Sequence, residues 1–186
     1  MAGLRQSRFG ALGLLAGRLI LAGIFLLAAY GKLLPQGAQP WTLASLRLSR
    51  SSLNLSMTFF AMQIDSYQML PGWAVVALAH TLPWVELGLG MLLLAGVALP
   101  WTGTGATALL ALLLAVVSRS YLMGLQINCG CFGPSEPLTR WTIIRDGLFL
   151  ALGLAVTAGA FLRARGTRGL ETAASGGAAE GAPANS

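Results

Sequence analysis

Four long apolar runs alternate with more polar connections along this chain. The first extends from about Ala11 to Leu34 and is broken only by Arg18, Tyr30 and Lys32. It follows a short basic segment, residues 1–10, that carries Arg5 and Arg8. A secretory signal has a shorter apolar core and a small-residue cleavage site. This run is long enough to cross a bilayer of about 30 Å at about 1.5 Å per residue, which predicts a first transmembrane helix. Gly13 and Gly17 within it have the small-x-x-x-small spacing that lets a neighbouring helix approach, a spacing that chance also produces in so Gly-rich a chain.

From Pro35 to Pro71 the chain turns to Ser, Gln, Asn and scattered charge, too polar to span a membrane. Leu53, Met57, Phe60 and Ile64 recur there at helical spacing, with Ser52, Ser56, Gln63 and Ser66 off that face. This predicts an amphipathic helix that lies on the membrane or caps the bundle. The alternative is the core helix of a small extramembrane subdomain. A second span is predicted over 72–97, containing His80, Pro83 and Glu86, and a third over 102–124, with Arg119 near its end. Only Ala98 to Trp101 separate them, so the two should be antiparallel neighbours. The fourth span, 139–162, opens at Thr139 as N-cap and passes through Trp141, Arg145 and Asp146. Trp73, Trp101, Trp141, Tyr30 and Tyr121 fall at predicted helix ends, where an aromatic belt belongs. Residues 163–186 are Arg-rich, then rich in Ala, Gly and Ser, and are expected to be a disordered tail. The expected architecture is all-α, a polytopic four-transmembrane-helix bundle over residues 11–162 with an amphipathic helix in its first loop.

Composition agrees with the pattern. With 55% hydrophobic residues, 10% charged residues and a mean hydropathy of +0.71, the chain lies far from a soluble domain, where charged residues are about a quarter. The net charge of +6 comes from Lys and Arg at the ends of apolar runs and in the termini, which suits anionic lipid headgroups and argues against nucleic acid. Four helices place both termini on one side. Arg5, Arg8, Arg163, Arg165 and Arg168 there oppose Lys32, Arg47, Arg50 and Arg140 across the membrane. The charge balance leans towards cytoplasmic termini, with the third loop on the opposite, oxidising side.

That loop contains both cysteines of the chain, in Asn128-Cys129-Gly130-Cys131-Phe132-Gly133-Pro134. A bridge between Cys129 and Cys131 closes a very small ring, so it restricts the unfolded chain little and is a poor structural staple. Extended residues two apart lie near the upper limit of disulfide reach, roughly 7 Å, so bridging requires a turn that Gly130 permits. Such a bond is strained and readily reduced, the property of an exchanging dithiol. Arg140, Arg145 and Arg119 are close enough in the predicted topology to favour the thiolate. Soft-metal binding of Cu(I) by two thiolates, or inert thiols, are the alternatives. One His and two Cys cannot make a four-ligand zinc site of thiolates and imidazoles, and no C-x-x-C-H haem attachment run is present. Inside the spans, Arg18, His80 and Glu86 each carry a desolvation cost of at least about 2.5 kcal/mol if charged, so each needs a partner or a function. Snorkelling could join Arg18 to Glu86 as a structural pair. A proton or quinone role is the other reading, with His80 placed nearer the cysteines to exchange a proton with a bound quinone.

The residues that carry this chemistry also carry a resemblance. The run Asn128-Cys129-Gly130-Cys131-Phe132-Gly133, followed by Pro137-Leu138-Thr139-Arg140-Trp141-Thr142-Ile143-Ile144-Arg145-Asp146, resembles the methylamine utilisation protein MauE family of DoxX-like membrane proteins. Leu82-Pro83-Trp84-Val85-Glu86-Leu87-Gly88-Leu89-Gly90, Ser66-Tyr67-Gln68-Met69-Leu70-Pro71 and the Gly31-Lys32-Leu33 ending of the first span resemble it too. The resemblance covers about residues 12–162 and implies a four-helix bundle in a redox-associated role. The namesake is thought to help process, export or mature the disulfide-rich small subunit of methylamine dehydrogenase. The bundle is also similar to that of vitamin K epoxide reductase and DsbB-type quinone-linked thiol oxidases. Here, however, the motif is C-x-C, not C-x-x-C, with no second cysteine pair. The implied partners are the bilayer and an exported or thioredoxin-like protein, with a quinone as the one implied cofactor. A non-enzymatic maturation or transport factor is the competing function.

Overall fold

The computed structural model describes residues 2–33, 50–125, 127–129 and 137–180, and the side chains of residues 10–33, 53–125, 127–129 and 137–166. Among the described residues five helices follow one another: α1 (Ala2–Leu33), α2 (Arg50–Ser66), α3 (Gly72–Ala95), α4 (Leu99–Leu122) and α5 (Arg140–Glu180). Four stretches within them, Gly10–Leu33, Gly72–Ala95, Leu99–Leu122 and Arg140–Gly166, are long and apolar enough to cross a membrane. The four expected spans are therefore present, each within a few residues of its expected ends. Among the described residues the one β-type pairing is an isolated antiparallel bridge, Asn128 to Pro137.

Local chemistry explains where the helices stop and start. Gly96 ends α3 in the left-handed region at φ 73°, and its N–H donates to the carbonyls of Leu92 and Leu93 at 2.9 and 3.2 Å. Val97 N–H donates to Leu92 at 3.3 Å, which completes a Schellman-type closure. Pro100 then sits in the first turn of α4, where a missing N–H costs nothing. The link between α3 and α4 is thus three residues, 96–98, placed just before the expected one. Thr139 caps α5 as expected: its Oγ1 accepts from Thr142 N–H at 3.4 Å, and Thr142 Oγ1 accepts from Thr139 N–H at 3.3 Å.

α3 packs chiefly on α1 and α4 chiefly on α5, with α1 against α5 joining the two pairs. Small residues sit where backbones approach most closely. A Cβ on Gly90 would stand 2.9 Å from Leu26 Cγ, and one on Gly103 would stand 2.8 Å from Thr157 Oγ1. Gly17 meets Val156 and Leu152 of α5, whereas Gly13 faces open space, so the two glycines do not act as a paired motif. Leu21, Ala22, Phe25, Leu93, Ala106 and Leu110 form the core. Trp73, Trp101 and Trp141 are exposed near helix ends, as a belt requires.

α2 lies across the end of the bundle opposite the termini. It packs on α3 and α1, with Met57 and Phe60 buried and Leu53 and Ile64 half-buried, so it caps the bundle. Ser56, expected off that face, is buried as well, while Leu55, Phe59 and Met62 form a second apolar stripe pointing outwards. α5 runs on past Arg163 to Glu180, where a disordered tail is expected from the sequence. Ala, Leu, Arg and Glu of this segment are strong helix formers, which lets the span's helix continue. Residues 181–186 lie outside the described part.

Candidate functional site

The α2-capped end of the bundle gathers the chemistry. Directly after α2 the chain turns: Tyr67 N–H donates to Ile64 and Gln68 adopts φ 52°. This bend sets the buried Tyr67 ring inward, and its Oη donates to the Cys129 carbonyl at 2.8 Å. The neck of the cysteine loop is closed by the Asn128–Pro137 bridge and by Leu138 N–H donating to Ile127 at 3.0 Å. Cys129 emerges from that neck and is 5% exposed, while Asn128 beside it is exposed. Gly130 and Cys131, the other members of the expected pair, lie outside the described residues.

Cys129 forms part of the wall of an apolar cavity of about 260 Å³ bounded by α2, α3, α4 and the α2–α3 link. Phe60, Tyr67, Leu82, Val116 and Lys32 share that wall. At its inner edge Lys32 reaches back along α1, as helical side chains do, and donates to both Glu86 oxygens, at 2.5 and 2.6 Å. The pair is 4% and 1% exposed, and Lys32 Nζ also stands 5.4 Å from the Phe60 ring centroid. Lys32, Glu86 and Asp146 all line a small void of about 30 Å³. Asp146 in turn accepts from Arg145 Nε and Nη2 at 3.1 and 3.0 Å.

The remaining candidates are placed elsewhere. The expected Arg18–Glu86 pair does not form: Arg18 lies at the terminal end, its Nη2 3.5 Å from the Leu94 carbonyl. Leu26 rests on Gly90 in this antiparallel pair, so Glu86 faces the residues after Leu26, and Arg18 faces the end of α3. His80 is exposed and bonded through Nδ1 to the Val76 carbonyl at 2.9 Å, away from both Glu86 and Cys129. Arg140 donates to Tyr121 Oη at 2.9 Å and Arg145 Nε to Asp146 at 3.1 Å, while their expected place beside the cysteine pair involves Gly130 and Cys131, outside the described residues. Arg119 is exposed on the last turn of α4. Lys32 and Tyr67, by contrast, do not stand out in the sequence. Lys32 enters the sequence reading only as a charge near the end of the first span, and Tyr67 lies in the polar connection 35–71. Their one sequence signal is membership of the Gly31-Lys32-Leu33 and Ser66-Tyr67-Gln68-Met69-Leu70-Pro71 runs.

Four helices long and apolar enough to cross a membrane, with a buried cysteine and the lysine of a buried ion pair in the wall of one apolar cavity, define an integral membrane protein. The family model described as methylamine utilisation protein MauE matches residues 11–160, and the chain belongs to that family. Searches of curated proteins and of solved structures returned no match.

Proposed function

We propose that this chain is the membrane component of a thiol-disulfide exchange that helps mature an exported protein, in keeping with the methylamine utilisation role its family name carries. The observation that carries this reading is the position of Cys129: buried, held by Tyr67, and in the wall of a cavity reachable from the lipid. A structural thiol has no need of such a cavity. Cys129 and Cys131 together take two electrons and two protons from a partner dithiol, whose sulfurs join as a disulfide while the bridge of the pair opens to two thiols.

The chain has no further cysteine, so those electrons leave to a lipid-soluble acceptor. The cavity suits a quinone. An apolar cavity of roughly 150 Å³ already holds a benzene-sized ring, and this one is about 260 Å³. Leu78 and Leu112 line it and are also exposed on the outer surface between α3 and α4, which gives an isoprenoid tail a way into the bilayer. Two S–H bonds break, one S–S bond forms, and both quinone oxygens become hydroxyls. In this reading the termini are cytoplasmic and the cysteines face the periplasm, where disulfides persist.

Capture of the partner tests the exchange. Cys131→Ser should leave Cys129 able to hold an exported protein as a mixed disulfide, while Cys129→Ser/Cys131→Ser traps none. A membrane-impermeant maleimide should label the reduced pair from outside the cell. Absence of any adduct together with labelling only after lysis contradicts the proposal and directs attention to Cu(I) binding.

A further inference from the structure

At the opposite end of the bundle, among the termini, lies a second cleft that the thiol chemistry does not use. It has a volume of about 360 Å³ and lies between α1, α4 and α5, lined by Leu14, Arg18, Leu99, Pro100, Arg163 and Ala164 among others. Two guanidinium groups share it, and no acidic residue lines it among the described residues. Among the described residues Arg18 Nε is buried there without a hydrogen-bond partner, and Nη2 donates over a long 3.5 Å to the Leu94 carbonyl. A buried guanidinium nitrogen left unsatisfied is costly, and such sites are commonly completed by a ligand or ion.

The surroundings add to the positive field. α4 begins at this cleft with Leu99 and Pro100, and its N-cap residue, Ala98, supplies no side-chain hydrogen bond. The N–H groups of Trp101 and Thr102 already donate to the Ala98 carbonyl and Pro100 has none, so the helix start contributes the partial positive charge of its dipole and not a set of free donors. Arg18 packs against Gly96 in the α3–α4 turn, so its head group lies at the level of the membrane surface, with exposed Trp101 one turn away as an interfacial marker. The wall below is apolar, with Leu14 and Leu15 of α1 and Ala160 of α5.

We infer that this cleft binds the phosphate of an anionic membrane lipid, with Arg18 and Arg163 on the phosphate and the acyl chains along α1 and α5. The chemistry demands an anion with at least two acceptor oxygens, since a bidentate guanidinium is what the site offers. A lipid headgroup and free phosphate both supply that group. The apolar lower wall and the level of the site favour the lipid.

The test uses the full-length protein in detergent, with bound lipid counted by native mass spectrometry and stability followed by thermal unfolding. Phosphatidylglycerol should remain bound and raise the melting temperature, and phosphatidylcholine should do neither. Arg18→Gln and Arg163→Gln should each lower the apparent phosphatidylglycerol affinity about tenfold, the size of one charge-assisted hydrogen bond. Arg163 is exposed, so its variant reports even if Arg18→Gln folds poorly. Equal binding of both lipids, or indifference to both substitutions, overturns the inference. A melting-temperature rise produced in full by inorganic phosphate alone identifies a free-anion site and overturns the lipid assignment.

Discussion

Glu86 is the residue whose need the sequence makes plain and whose partner it conceals. A carboxylate deep in an apolar run must be matched, and it is, by Lys32 at 2.5 and 2.6 Å. Counting turns from the apparent span ends points to Arg18 instead. Helix α1 begins at Ala2 and overhangs the end of α3, so Arg18 falls opposite Leu94 and not opposite Glu86. Replacing Lys32 by Met or Glu86 by Leu alone leaves one buried charge and should destabilise the protein by about 3–5 kcal/mol. The double substitution should recover much of that loss in a thermal double-mutant cycle, and simple additivity would show that the two side chains do not act as a pair. Tyr67 is hidden for a different reason. Its role depends on a turn with Gln68 at φ 52° that no periodicity announces.

Helices themselves are highly legible. Each span follows from an apolar run, and Thr139 as a cap follows from its place before one. What periodicity does not fix is where an element ends when composition changes but propensity does not, as beyond Arg163 in α5. The buried face of α2 is legible in part: Met57 and Phe60 are inside as their spacing implies, yet Ser56 is inside with them. The register between α1 and α3 is invisible in either helix alone, because it depends on Gly90 admitting Leu26. Gly90→Ala should therefore cost about 1–3 kcal/mol by overpacking, with Leu26 Cγ 2.9 Å and its backbone nitrogen 3.3 Å from the new methyl carbon. Gly88→Ala, mid-helix with open space around it, should instead stabilise by roughly 0.5–1 kcal/mol in the same unfolding measurement. Equal effects at both positions would contradict this register.

At the scale of the whole molecule, α1 packs chiefly on α3 and α4 on α5, and α2, the cysteine neck and facing residues of α3 and α4 line the cavity at the α2 end. The cavity between them arises from five separate parts of the chain, which is why no local motif reveals it. The cysteine run marks the chemistry, and the packing supplies its setting: Tyr67 on the Cys129 carbonyl, Lys32 and Glu86 at the inner edge, and lipid-facing Leu78 and Leu112 at the opening. The proposed account joins these into one route from a periplasmic partner to the bilayer. Its most direct test is to add a short-chain ubiquinone to the fully reduced protein in lipid nanodiscs, following quinone absorbance while alkylation counts free thiols. The account predicts one quinone reduced for every two thiols lost, at a rate slowed at least about tenfold, or about 1.4 kcal/mol, when Val116→Trp fills the cavity. Thiols that stay free in the presence of the quinone, or oxidise at a rate indifferent to Val116→Trp, would contradict it.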